Sequence, residues 1–373
     1  MIADGEVLAA VDAQGDAIRE TVRFVHQHPE LGHEEHECSR YLCETLAAGG
    51  LDVDRGVGGM ETAFRATLRG AHLGASVGLV CLFDAVTAFR PDGTVEPVHS
   101  CGHGPIAGGV IGSALVLAAL RDELAGTAVV MGCPADEIHA PGSIERGGGK
   151  ALSAEAGLWD DLDAALYAHP EFIDTVSLES RWMRRARATV PGSRSLASAA
   201  NAPLEAAVSA LEVARAHVPD DVMLERLELD GDVEEGTGLV LGATFLVFAD
   251  EERDVDARLA ALRAALPEAE WHDGRLVEAV RPNARVTAAV AEAFGALGRD
   301  FVSQPPRLPF ATDFGNISRR CPAALIGVGR DGGWAFHTDE GAAQFASADG
   351  EEAALTIARV LALATARLVE RPA

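Results

Sequence analysis

Four short apolar runs, at 77–82, 127–131, 164–168 and 324–328, limit what this chain can fold into. Each is continuous rather than alternating, as a strand buried on both faces must be. Polar residues stand at or just beyond their ends. Asp84 follows the first run, Asp136-Glu137 the second and His169 the third, while His337 comes after the fourth. Helical patterns lie between them. The recurring order of strand, polar residue and helix predicts an α/β fold, in which ligands gather at the carboxyl ends of the strands.

Helical spacing of Val7, Leu8, Val11, Ile18, Val22 and Val25 predicts a helix over 5–27, and a second helix spans 34–48 before Gly49-Gly50. A further strand is expected at 62–68. Behind Ser100-Cys101-Gly102-His103-Gly104 runs a nearly uncharged helix, 107–124, and a closing helix covers 351–368. Near residue 180 the pattern changes. Strands at 182–190, 223–229 and 239–248 and helices at 203–218 and 255–266 describe a small α+β unit with one open sheet. A helix at 284–297 returns the chain to the first unit. A length of 373 residues exceeds what one core usually organises. The expected division is a catalytic domain of 1–179 with 284–373 and an inserted domain of 180–283.

The net charge of −26 opposes nucleic acid and anionic membrane surfaces, both of which need cationic patches. No secretory leader is recognised, and the longest nearly apolar run, 109–120, is too short to span a bilayer. The 6 cysteines form no CxxC pair, so reduced thiols in a cytoplasmic protein are expected.

Cys101 and His103, two residues apart before a buried helix, can converge on one metal ion. Alone, each also fits a structural role, as do His169 and His337. Taken together, thiolate, imidazole and carboxylate suit zinc, manganese or cobalt. Two such ions can polarise a carbonyl and activate a water, provided that a carboxylate off the metal moves the proton. The adjacent Asp136 and Glu137 can divide those roles.

The stretches HQHPELGHEE at 26–35, FDA at 83–85, HSCGHG at 99–104, CPADE at 133–137, AHP at 168–170, TDFGNIS at 312–318 and FHTDE at 336–340 carry a resemblance. The chain resembles the metal-dependent aminoacylase and carboxypeptidase-type amidohydrolases, in the branch of hippurate, auxin-conjugate and aminobenzoyl-glutamate hydrolases. The resemblance implies a two-domain metallopeptidase-like fold, a central mixed sheet flanked by helices with an inserted α+β lid or dimerisation domain. It implies Cys101, His103, Glu137, His169 and His337 as ligands of two divalent ions, a small-molecule amide substrate and a homodimer. Asp136 stands where the family has its general base, usually glutamate, so Asp136→Glu should keep or raise activity. Two further departures are Gly104, where the family has Asp or Asn, and Leu196, where it has a lid histidine. Arg194 could replace that histidine as a cation, and Asn283, Arg285 and Arg307 are candidates for binding a substrate carboxylate. The expected reaction is hydrolysis of an N-acyl amino acid, amino-acid conjugate or dipeptide. Non-hydrolytic acyl transfer, amide formation or cyclisation, and a non-enzymatic binding role, are the alternatives.

Overall fold

The computed structural model describes residues 2–90, 92–190, 221–230 and 240–370, together with 208, 212 and 216. It divides into two compact units, one of 1–179, 280–306 and 316–373, the other of 180–279 with 307–315.

The first unit is built on strands β1 (Asp52–Arg55), β2 (Phe64–Arg69), β3 (His72–Cys81), β6 (Ala125–Gly132), β7 (Ala164–Glu171) and β12 (Ala323–Gly329). Their order is β1-β2-β6-β3-β7-β12. β6, β3, β7 and β12 run parallel, whereas β1 and β2 join antiparallel. The parallel strands are the four apolar runs, buried on both faces as their composition demands. Between β3 and β6 a hairpin forms from β4 (Val86–Phe89) and β5 (Val95–Val98). The anticipated first helix is two helices, Asp4–Ala13 and Gly15–Gln27, broken at Gln14. Gly15–Gln27 buries Ile18, Val22 and Val25 at helical spacing. The helix behind the Cys101 loop is His103–Ala119, which begins earlier than its apolar run because His103 is its first residue. It is buried nearly all round, and the helix Ala348–Val369, rich in alanine and leucine, is buried similarly.

The second unit is a four-stranded antiparallel sheet. It contains β8 (Trp182–Val190), β9 (Val222–Asp230), β10 (Val240–Ala249) and β11 (Glu270–Val277), in the order β11-β8-β10-β9. Helix Glu252–Ala265 lays Val255, Leu259 and Leu262 on a core of Ala186, Ala188, Leu241, Ala243, Phe245 and Val247. β11 has no counterpart among the strands expected from the sequence. It is a half-exposed edge strand with mixed polar residues, so it lacks the apolar run that marks β10. Of the helix expected at 203–218 only Val208, Glu212 and Ala216 are described, and they are helical; Arg194 and Leu196 lie outside the described residues.

Candidate metal centre

The carboxyl ends of β3, β6 and β7 deliver Asp84, Asp136-Glu137 and His169 to one place. The loop before helix His103–Ala119 brings Cys101 and His103. Gly102 between them has φ 90°, and a Cβ there would lie 2.8 Å from Pro170 Cγ, so only glycine fits this turn. His337 arrives from beyond β12 with its backbone N–H donating to Ser100 O at 2.9 Å. Ala135 and His337 hold left-handed backbone, φ 58° and 60°, unusual for residues with a side chain and characteristic of constrained sites.

The ligand-type atoms form two groups that share one thiol. Cys101, His103 and His169 lie with their donor atoms within 4.8 Å of one another, and so do Cys101, Glu137 and His337. Cys101 Sγ is 3.8 Å from His169 Nε2 and 3.2 Å from His337 Nε2. His103 Nε2 is 3.7 Å from Glu137 Oε1. Those last two atoms are buried without a hydrogen-bond partner among the described residues. Leaving two buried polar atoms unpaired is costly, and a cation at each donor group would satisfy them.

The second nitrogen of each ring is also accounted for. His103 Nδ1 donates to Asp84 O at 2.7 Å and lies 3.0 Å from Asp84 Oδ1, which turns Nε2 toward the cluster. His169 Nδ1 donates to Pro170 O at 2.6 Å, with Glu171 Oε1 at 3.5 Å. Asp84 is fully buried and also accepts the Glu137 N–H at 2.8 Å, so one carboxylate sets two members of the cluster. No side chain is available at Gly104, and Asp84 supplies the support for His103.

The electrostatics fit a cation as well. Burial opposes ionisation of Cys101, but the imidazoles of His103, His169 and His337 outweigh it and hold the thiol well below its usual range. Burial, then the Cys101 sulfur, pushes Glu137 well above the usual carboxylate range. Burial opposes charge on His169, yet Cys101 and Glu171 push it up to about 10. Thiolate and carboxylate thus compete for the same neutralising charge, which a divalent ion would supply.

Asp136 lies beside the ligand-type groups, with Oδ2 3.3 Å from His103 Nε2 and Oδ1 against the Lys150 ammonium. A cavity of about 570 Å³ opens at Glu137 and His337, lined also by Val86, Phe89, Val98, His139, Thr338 and Asp339. Two of the proposed carboxylate binders, Asn283 and Arg285, lie elsewhere in the first unit. Asn283 caps helix Ala284–Ala296, and Arg285 donates to Asp163 O at 2.8 Å. Asp163 immediately precedes β7, roughly 20 Å along the strand from His169, so Asn283 and Arg285 belong to the opposite end of the sheet. Arg307 is in the second unit and pairs with Asp250 at 3.3 Å.

Sequence reasoning missed Lys150 and Glu35. Glu35 is buried and accepts from Ala135 N and Thr62 Oγ1, each at 2.8 Å, so it anchors the turn before Asp136. Burial, helped by the charge of Asp84, raises Glu35 from 4.5 to about 8. Between those values the folded protein keeps a proton that the unfolded chain releases, so stability falls as pH rises through the window. Glutamine reproduces the protonated form and can still accept from Ala135 N. Glu35→Gln is therefore expected to flatten the fall of the unfolding midpoint between about pH 5 and 8.5 and to be the more stable protein at the upper end. Parallel melting curves for the two proteins would refute this role.

A sequence model described as peptidase family M20/M25/M40 matches residues 80–363, most of the chain. The chain belongs to this family. Xaa-Arg dipeptidase of Mus musculus is 28% identical over 409 residues, covering 97% of this chain and 88% of that protein. The p-aminobenzoyl-glutamate hydrolase of Escherichia coli has a subunit that is 28% identical over 174 residues, 43% of this chain and 34% of that protein. Among solved structures, a dinuclear metal binding M20 peptidase of Bacillus subtilis superposes with TM-score 0.69 at 19% identity, over 96% of this chain and 99% of that one. The aminobenzoyl-glutamate utilization protein of Klebsiella pneumoniae gives 0.66 at 15% identity, over 97% and 98%. These likenesses establish the family's mixed α/β fold for this chain.

Proposed function

We propose that this M20-family protein is a two-metal amidohydrolase that cleaves a small N-acyl amino acid, amino-acid conjugate or dipeptide. The observation that carries the reading is the pair of donor groups sharing Cys101, with a carboxylate, Asp136, against His103 of one of them. Cys101, His103 and His169 would hold one divalent ion and Cys101, Glu137 and His337 the other, with zinc, manganese or cobalt suited to the mixed donors. When bound, such ions polarise an amide carbonyl and lower the pKa of a water. Asp136 takes the proton from the attacking water and delivers it to the leaving nitrogen, as general base and then general acid. Asp84 keeps the His103 ring turned toward the cluster throughout. The cavity at Glu137 and His337 has the size of a small-molecule site and receives one side of the amide. The names of the dipeptidase and hydrolase relatives support this substrate class.

Mass-spectrometric product analysis tests the reading, using metal-loaded protein and a panel of N-acyl amino acids and dipeptides. Release of free amine and acid that stops on chelation is expected. Intact amides throughout, or transfer of the acyl group to an added amine in place of water, would reject hydrolysis.

The second unit is read as the dimerisation domain of a homodimer. β9 is the outer strand of its sheet among the described residues and exposes Met223 and Leu227, four residues apart. Light scattering at twice the 38.9 kDa chain mass is expected. The 38.9 kDa mass at all concentrations would reject it. A cytoplasmic location is supported by the six free cysteines.

A further inference from the structure

A fully buried lysine lies against the proton carrier. Lys150 has no exposed surface and is the second residue of helix Gly149–Glu155. Its Nζ contacts Asp136 Oδ1 and lies 5.4 Å from the centre of the Tyr167 ring. The other Asp136 oxygen faces His103 Nε2 at 3.3 Å.

Stability does not account for this arrangement. Burying an ammonium is costly even when it is paired, and an apolar side chain of similar volume often serves the fold as well or better. The chain is nonetheless built to admit it. A Cβ at residue 149 would lie 2.1 Å from Pro134 O, and Gly149 N donates to that same oxygen at 3.0 Å. Glycine therefore lets the helix start touch the turn that carries Asp136, and places the next residue's ammonium on its carboxylate.

We propose that Lys150 is a positioning residue for amide hydrolysis. It rests on the reading of Asp136 as proton carrier. An aspartate on a turn can rotate about two side-chain torsions and exchange its oxygens. The ammonium holds Oδ1, so Oδ2 stays turned toward the cluster. Lys150 acts through Asp136. Small misplacements of a reacting group cost about a hundredfold in rate.

The test uses the metal-loaded full chain and the variants Lys150→Met, Asp136→Asn and the double variant, with bound metal, kcat, KM and a crystal structure for each. Lys150→Met is expected to lower kcat about a hundredfold, with KM and bound metal nearly unchanged and the Asp136 carboxylate rotated or disordered. The double variant should be no slower than Asp136→Asn alone, because the two residues act as one unit. Lys150→Gln, which keeps a hydrogen-bond donor, should recover part of kcat, and Lys150→Ala, which keeps none, stands in for the methionine variant with the same criteria if that variant does not fold. An unmoved Asp136 carboxylate, an unchanged kcat, or losses that multiply in the double variant would overturn the proposal. A wild-type protein without amidase activity overturns the hydrolase reading instead, and the carboxylate's position in the variant crystals still decides whether Lys150 positions it.

Discussion

Asp136→Asn is expected to lower turnover by roughly two to four decades, the usual range for loss of a general acid–base group, while both metals stay bound. The amide has nearly the shape of the carboxylate but cannot take up a proton from water. Asp136 belongs to neither donor group, so metal content should barely change. The asparagine also leaves the buried Lys150 without its counter-charge, and some loss of stability will accompany the loss of rate. Steady-state kinetics beside elemental analysis checks this. Undiminished turnover would remove Asp136 from the mechanism, and loss of metal in step with activity would make it a ligand.

The same geometry revises what the sequence alone suggested for Asp136→Glu. Against a family pattern of glutamate, the longer residue looks like a restoration. In the fold, Asp136 is closed in between Lys150 on one oxygen and His103 on the other. An added methylene must displace one of them, and overpacking a filled site costs about 1–3 kcal/mol. Asp136→Glu should therefore lose activity, by about one to two decades, unless position 150 is shortened as well. Activity equal to the wild type would mean that the turn at Ala135 shifts freely.

Cys101→Ser is expected to be as damaging as removing the metals. The thiol is common to both donor groups, so its loss weakens both at once. Serine is nearly the same size, but its hydroxyl does not ionise in the range where this thiol does. Lewis-acid assistance is worth several kcal/mol, so the expected loss is about three decades or more. Bound metal after buffer exchange should fall well below the wild-type level. The unfolding midpoint in chelator should stay the same, because Cys101 lies in a half-buried loop rather than in the core. A serine variant that retains its full metal complement would show that the two groups do not depend on a shared sulfur.

The centre of the fold was legible because β3, β6, β7 and β12 carry uninterrupted apolar runs, which only a strand covered on both faces can use. The edges were not. β1, β11 and the β4–β5 hairpin are half exposed and mix polar with apolar residues, so their pairing depends on neighbours distant in sequence. The candidate ligands could be picked out because each follows a recognisable strand or opens a helix. Their supports could not. Glu35 bonds Ala135 one hundred positions away, and nothing local to Glu34-Glu35-His36 distinguishes a buried glutamate from a solvated one. Lys150 reads as a surface residue at a helix start until the fold places Asp136 against it. Arg285 failed in the opposite way, since a cation in sequence carries no information about which end of the sheet it will reach.

The sharing of Cys101 between two ions is the central claim, and anomalous diffraction from metal-soaked crystals tests it most directly. The account predicts two anomalous peaks per chain, one among Cys101, His103 and His169, the other among Cys101, Glu137 and His337. A single peak at full loading, or peaks away from the Cys101 sulfur, would contradict it.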